Sequence, residues 1–478
     1  MSRSILSFGA LVPALLLSGC ALGPQHPTTT IATPPTPVEQ TIAPLAGAAQ
    51  TVRPGAMLDA QWWTAFGSPA LDALVAQSLK SNNSLAAAEA TLTQAQELAK
   101  AASGARAPQI DLRYTGERDN TSDTLANQLQ DGNKYLYSLH TAQLNVSYPL
   151  DLFGGLKSQA RSARAQAEVA AHRLDAARTM VLANLVTAVI QHASLQAQLD
   201  AATTSVQNGQ AILKLLERRR DLGDIGDADV AAQQTALATV EGLIPALSRA
   251  VGQQRTIIAM AIGIAPGSPL PTLPTLADLT LPADLPVALP SDLVARRPDV
   301  AAAEAQMRGA GADVGAAIAA RLPMVQLTAA VGGAAENFGD MFKGGNPFWQ
   351  LLGSLTQPLF HGKQLVHQQK AAEAALEAAK ANYRQAALQA FGEVSDALTG
   401  LTTDGRALDA AARASEAADR NLRYTQTQLK LGGVGTLTLL NASNSAAQAS
   451  SQLVQARAAR LIDTVALFQA VGGGVTTN

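Results

Sequence analysis

The sequence predicts a mainly α-helical protein with a membrane β part, laid down as two internal structural repeats, and three observations carry that expectation. First, the chain is nearly written twice. Asn83-Ser84-Leu85-Ala86-Ala87-Ala88-Glu89-Ala90 is answered by Pro298-Asp299-Val300-Ala301-Ala302-Ala303-Glu304-Ala305, and Arg106-Ala107-Pro108 by Arg321-Leu322-Pro323 at the same offset. Leu222-Gly223-Asp224-Ile225-Gly226 likewise meets Leu431-Gly432-Gly433-Val434-Gly435. Units of roughly two hundred residues are too long for solenoid repeats and read as duplicated half-proteins. Second, proline is absent between Pro149 and Pro245 and again after Pro358, in Ala-, Gln- and Leu-rich stretches that favour very long helices. Third, short segments in both halves alternate apolar and polar residues, the period of a two-faced strand.

The N-terminus reads as a processed export signal over residues 1–19: Arg3 supplies the positive charge, Ile5 to Leu17 a short apolar run, and Leu17-Ser18-Gly19-Cys20 the cleavage site. The alternative for Cys20 is an ordinary buried thiol. As the only cysteine, it leaves no disulfide or cysteine-based zinc site within one chain. Residues 20–60, Pro- and Thr-rich over much of their length and without periodicity, are expected to form an extended strap.

The first repeat is placed at 61–264. Trp62, Trp63 and Phe66 mark the first packed segment, and helical spacing from Leu71 to Arg106, broken near Lys80 to Ser84, predicts two helices that Pro108 ends. Over about 108–149 a hairpin follows: Ile110, Leu112 and Tyr114 alternate with Asp111, Arg113 and Thr115, then Leu144, Val146 and Tyr148 with Gln143, Asn145 and Ser147. Over about 155–262 comes a helical hairpin whose first arm, Gly155 to Asp221, spans about 100 Å at 1.5 Å per residue. The turn falls at Leu222 to Asp227. Residues 265–297 form a Pro-rich connector expected to cross the outside of the body, and 298–478 repeat the plan, with strands about 323–358 and a helical hairpin about 362–470 turning at Leu431 to Gly435. Val325, Leu327, Ala329 and Val331 make one apolar strand face, and Trp349, Leu351 and Leu355 another. Strands of about ten residues with two unlike faces suit a membrane barrel; a soluble hairpin on a helical body is the alternative. Four strands cannot close around water, so closure needs several chains.

Composition excludes several classes. A formal charge of −2 without a basic arm makes nucleic acid a poor partner. Aromatic residues are only 4% of the chain, too few for a thick globular core and consistent with Ala-lined helices packed side by side. No catalytic constellation, phosphate loop or cofactor motif is present. His361 and His367, six apart, do not share a helical face, which argues against a metal site, and His172 and His192 read as polar surface or lumen positions.

Four passages together resemble the outer-membrane factors of tripartite efflux, the TolC-like family, and within it the NodT-type lipoproteins: Leu17-Ser18-Gly19-Cys20; Trp62-Trp63 with Phe66 and Leu71-Asp72-Ala73-Leu74; Leu289-Pro290-Ser291-Asp292-Leu293 leading to Arg296-Arg297-Pro298-Asp299-Val300; and Val434-Gly435-Thr436-Leu437. The resemblance covers essentially the whole mature chain. It implies a trimeric duct, a twelve-stranded barrel in the outer membrane with four strands per chain joined to a helical barrel, with a periplasmic adaptor and an inner-membrane RND pump as partners. It implies lipidation at Cys20, and Ala21 after it implies the outer membrane. The hairpin tips would dock the adaptor, through Val434, Gly435 and Thr436 in one half and Ile225 and Gly226 in the other. Leu437 falls at the family's apolar constriction. Asn441 stands where relatives often carry an aspartate, a departure that puts an acidic gate there in doubt. Asp224, Asp227 and Asp229 offer negative charge at the other tip, either at the gate or as solvated surface. Arg296, Arg297 and Asp299 read as a helix start with local ion pairs.

The expected function is a passive exit duct for drugs or other small molecules. An outlet for type I protein secretion would share the architecture, and a lipid-anchored spacer without a pore would have soluble hairpins instead of membrane strands.

Overall fold

The computed structural model describes residues 23–24, 27–35, 38–120 and 136–474. The leader 1–19 and Cys20 lie outside them. Along the chain, β1 (Gln40–Ile42) and β2 (Gln50–Pro54) precede α1 (Pro69–Ser81) and α2 (Asn83–Gly104). Then come β3 (Gln109–Asn120), β4 (Leu136–Leu150), α3 (Gly155–Asp221), α4 (Asp227–Glu241) and α5 (Leu243–Ala261). The connector holds β5 (Asp284–Val287) and α6 (Pro290–Arg296). The second half continues with α7 (Pro298–Ala319), β6 (Met324–Ala335), β7 (Pro347–Thr356), α8 (Gln364–Lys430) and α9 (Thr436–Ala470).

Local chemistry sets several of these limits. Ser68 caps α1, accepting the Leu71 N–H, with Pro69 at the first helical position. Asn82 ends α1 and starts α2, its Oδ1 accepting from Ser84 and Leu85 at 2.9 and 3.2 Å. Asp151 opens α3 by taking the Leu156 and Lys157 N–H groups at 3.1 and 2.7 Å. The return arm of the first half is two helices, where periodicity alone predicts one. Pro245 lacks the N–H that would bond the Glu241 carbonyl, and its ring crowds that carbonyl, so the helix breaks at Gly242. In the second half α9 runs unbroken for 35 residues.

The chain forms two compact units: Met1–Thr29, Thr91–Ala170 and Ala303–Tyr383 in one, Thr30–Ala90, Ala171–Ala302 and Arg384–Asn478 in the other. Each takes pieces of both repeats, because neither repeat can bury its apolar surface alone. In the first unit the strands form one antiparallel sheet, ordered β3-β4-β6-β7, so the pairing of β4 with β6 joins the halves directly. The register separates its faces. Leu112, Leu144, Val331 and Trp349 share one rung, and Ile110, Val146, Ala329 and Leu351 the next on that face. The opposite face carries Asp111, Asn145, Ala330 and Gln350. Trp349, Leu112 and Leu351 are 79%, 81% and 71% exposed, in a continuous apolar surface of the kind that sheets present to lipid. Beyond these rungs Tyr114 bonds His140 Nδ1 at 2.8 Å, and Phe338 meets the Tyr114 ring edge-on at 5.7 Å.

The second unit is built around Trp62, Phe66 and Phe468, all at most 2% exposed, with ring centroids 5.7 to 6.4 Å apart in edge-to-face contacts. The strap and the connector, both expected as surface runs without regular structure, contribute a small sheet: β2 pairs antiparallel with β1 and parallel with β5, Val52 opposite Leu285. Both residues are buried, and burying them is what orders the two segments. Arg460 on α9, 1% exposed, fastens the strap, donating to the Ala48 carbonyl at 3.1 Å and to Gln50 Oε1 at 2.7 Å. Gln50 in turn donates to the Pro282 carbonyl and Thr464 Oγ1. Burial works against the Arg460 charge and holds its pKa below the ordinary value, with Asp404 and Asp409 pulling the other way.

Arg297 is a second fastener. Between α6 and α7, it grips Asp299 with two bonds of 3.0 and 2.7 Å, reaches Glu393 of α8 at 2.7 Å, and donates to the Ala470 carbonyl at the end of α9 at 2.9 Å. Its local pairing with Asp299 follows from the sequence; the reach to α8 and α9 does not. His192, expected at a polar surface or lumen position, is buried at 6% exposure, because the apolar centre of α3 turns that face inward. Burial, and then the nearby Arg255, push its pKa down and keep the ring neutral.

Candidate functional site

The two helical turns, both in the second unit, have the same backbone. At the end of α3 the Gly223 N–H donates to the Arg220 carbonyl at 2.8 Å and the Asp224 N–H to Arg219 at 2.9 Å; at the end of α8, Gly432 donates to Leu429 at 3.2 Å and Gly433 to Gln428 at 2.8 Å. This is the Schellman arrangement, and its left-handed position is Gly223 at φ 76° and Gly432 at φ 74°. Gly226 and Gly435 then start α4 and α9 with φ, ψ of −89°, 165° and −82°, 166°. Nothing within 4 Å crowds Gly223 or Gly432, so their need for glycine is conformational alone. Gly223→Ala and Gly432→Ala are each expected to cost about 1–2 kcal/mol of left-handed strain. Thermal melting, with faster amide exchange confined to the altered turn, measures it.

The side chains on this shared backbone differ. At the first turn Arg219 Nε donates to Asp224 at 2.6 Å, and Arg220 pairs with Asp221 at 2.6 Å and stands 3.9 Å from Asp227. Asp224 and Asp227 therefore face arginines, and the turn is less negative than its aspartates alone imply. Being exposed, each pair adds little stability. Asp229 is half-buried in the first turn of α4 with Asp227, where the helix N-terminus favours an anion. At the second turn Leu437 is 62% exposed, and Asn441, one helical turn on, is exposed on the same side of α9. Thr436 is 6% exposed, while Val434 and Ile225 are half-buried and Gly226 and Gly435 exposed.

Within this unit α4 packs against α9. Gly209 on α3 lets α4 come close: an added methyl would stand 3.1 Å from Leu237, and Gln233, 3% exposed, donates to the Gly209 carbonyl at 2.9 Å. The remaining cleft is lined by Ile212, Leu237, Leu440 and Asn444 among others. Among the described residues no group of three or more His, Cys, Asp or Glu side chains could hold a metal ion.

A sequence model described as "Outer membrane efflux protein" matches residues 74–263 and 289–473, on either side of the connector. The chain belongs to the outer membrane efflux protein family. It is 31% identical over 450 residues to the "Pyoverdine export outer membrane protein OpmQ" of Pseudomonas putida, covering 92% of this chain and 94% of the relative. It is 28% identical to the "Outer membrane protein OprJ" of Pseudomonas aeruginosa, covering 99% and 97%. Its fold is similar to that of the outer-membrane channel OprN, with a TM-score of 0.86, 26% identity and coverage of 95% of this chain and 99% of that one. The family member described here is thus an outer-membrane efflux protein with a TolC-like fold, helical with a β part.

Sequence reasoning missed Arg460 and the buried surroundings of Arg297. Charged residues within a largely apolar helical stretch, Arg457, Arg460 and Asp463 between Leu453 and Phe468, are the signal that could have found the first.

Proposed function

We propose that the protein is the passive outer-membrane exit duct of a tripartite efflux pump of the RND type, carrying drugs or other small molecules out of the periplasm. The observation that carries this reading is the four-stranded sheet: one face is apolar across all four strands, the other largely polar, and β3 and β7 are its edges among the described residues. An open edge in lipid leaves backbone groups without partners, so β7 of one copy pairs with β3 of the next. Three copies give a twelve-stranded barrel with the apolar face toward lipid and the polar face toward water. In this reading lipid on Cys20 adds an anchor in the outer membrane. The Val434–Gly435 and Ile225–Gly226 turns meet the periplasmic adaptor through their exposed backbone and flanking side chains. Energy comes from the inner-membrane pump, because the chain has no nucleotide motif.

Leu437 from three copies narrows the pore in this arrangement, with Asn441 beside it as a neutral ring, and Asp224 and Asp227 of the first turn face arginines. Full-length protein reconstituted in planar bilayers is expected to conduct, and Leu437→Ser to conduct more than wild type. A protein that inserts and passes no current would sink the duct reading in favour of a spacer. Equal conductance of wild type and Leu437→Ser would remove Leu437 from the constriction while leaving the duct in place.

A further inference from the structure

We propose that Asp404 of α8 and Asp463 of α9 form a proton-operated clasp: one proton shared between their carboxyl groups holds the helices together, and its loss sets two negative charges against each other. Nothing in the duct reading requires such a device, and the clasp stands on the packing of α8 and α9 alone.

The geometry is specific. The Asp463 carboxyl group lies against the α8 backbone at Gly400, where an added methyl would come within 2.5 Å of its Oδ2. Glycine leaves the space that the carboxyl group fills. Asp404 stands one helical turn beyond Gly400 on the same side of α8, which makes its carboxyl group the neighbour of Asp463. Two carboxylates side by side repel, and one proton shared between them turns the repulsion into a bond.

The neighbours fix which pH matters. Burial, and then the charge and hydrogen bond of Asp404, push Asp463 up to about 6. On α9, Arg460 directs its donors to Ala48 and Gln50 of the strap, and Arg457 lines the same cleft. On α8, Asp409 is engaged by the Ala46 N–H at 2.9 Å. Strap residues 42–50 carry no titratable side chain. Beyond α9, α3 brings Gln191, Ser194 and Gln198, with His192, whose pKa burial lowers, and α5 contributes Arg255 beside His192.

The sign follows from linkage. Asp463 holds its proton more tightly in the folded chain than a free carboxyl group does. The stability it contributes is complete below the free carboxyl range near 3.8 and is lost as pH rises through about 6. The clasp is shut in acid and open at neutral pH, on the two helices that carry the Val434–Gly435 turn.

Melting of the full-length protein in detergent between pH 5 and pH 8 tests this, compared across wild type, Asp463→Asn, Asp404→Asn and Gly400→Ala. In the asparagine variants an amide donates permanently to the remaining carboxylate. Both are expected to lose the wild-type fall in melting temperature near pH 6 and to melt above wild type at pH 7.5. Gly400→Ala, which drives the Asp463 carboxyl group off α8, is expected to lose the same step without the gain at pH 7.5. Asparagine variants that keep the wild-type pH profile would overturn the clasp. So would stabilisation of wild type by millimolar calcium at pH 7.5 that Asp463→Asn abolishes, since the pair would then be a cation site.

Discussion

Leu351→Arg is expected to cost about 2–4 kcal/mol of barrel stability, and Gln350→Arg, one residue away, close to nothing. Leu351 lies mid-strand in β7, 71% exposed on the apolar face, on the rung shared with Ile110, Val146 and Ala329. There a guanidinium must enter the hydrocarbon or drag water toward it. Gln350 points the other way, level with Asp111, Asn145 and Ala330, where water solvates an added charge. Folding into lipid vesicles, followed by heat-modifiable mobility on gels across a urea series, reports both. A parity effect of this size belongs to a sheet with lipid on one side. Equal tolerance of the two arginines would mean that the apolar face is covered by protein and would remove the barrel from the proposed function.

Arg297→Met is expected to destabilise the second unit by about 3 kcal/mol, an effect close to that of breaking a buried ion pair from one side. The methionine fills much the same volume but deprives Asp299, Glu393 and the Ala470 carbonyl of a shared donor. The side chains of Asp299 and Glu393 are 43% and 42% exposed, so water recovers part of the loss and the cost falls at the lower end of the range for such breaks. Burial opposes the Arg297 charge, yet Asp299 and Glu393 together hold its pKa above the ordinary arginine value, the mark of a pair worth keeping charged. Arg297→Lys should recover only part of the stability, because one ammonium cannot reproduce the two-pronged grip on Asp299. Thermal melting of the three proteins decides; a methionine variant as stable as wild type would reduce Arg297 to a simple helix start.

These two sites also mark how far the sequence can be read. The β3 and β7 faces are legible because alternation is local: Ile110, Leu112 and Tyr114 announce their side before any partner strand is known. The long helices are legible for a similar reason, since the absence of proline between Pro149 and Pro245 is a property of one stretch. The turns are legible from their glycines, whose left-handed conformation few other residues tolerate. What stays hidden depends on juxtaposition. No local pattern links Arg297 to Glu393 and Ala470, Gln50 to Arg460, or Asp463 to Gly400. His192 looks polar until α3 is packed, and the pairing of β2 with β5 joins two short segments whose prolines argue against strands. At the tips the acidic run reads as free charge until Arg219 and Arg220 fold back on Asp224 and Asp227.

The fastening of the strap sets an order of events. Gln50 reaches Arg460 and Thr464 across 410 and 414 residues, and Trp62 and Phe66 find their aromatic partner in Phe468. A chain is made from its N-terminus, so the segment synthesised first has nothing to rest on until almost the last helix exists. Contacts this distant in sequence form slowly. Until then Trp62 and Phe66 lack the ring they pack against, and a truncation near residue 460 is expected to undo the beginning of the molecule as surely as its end.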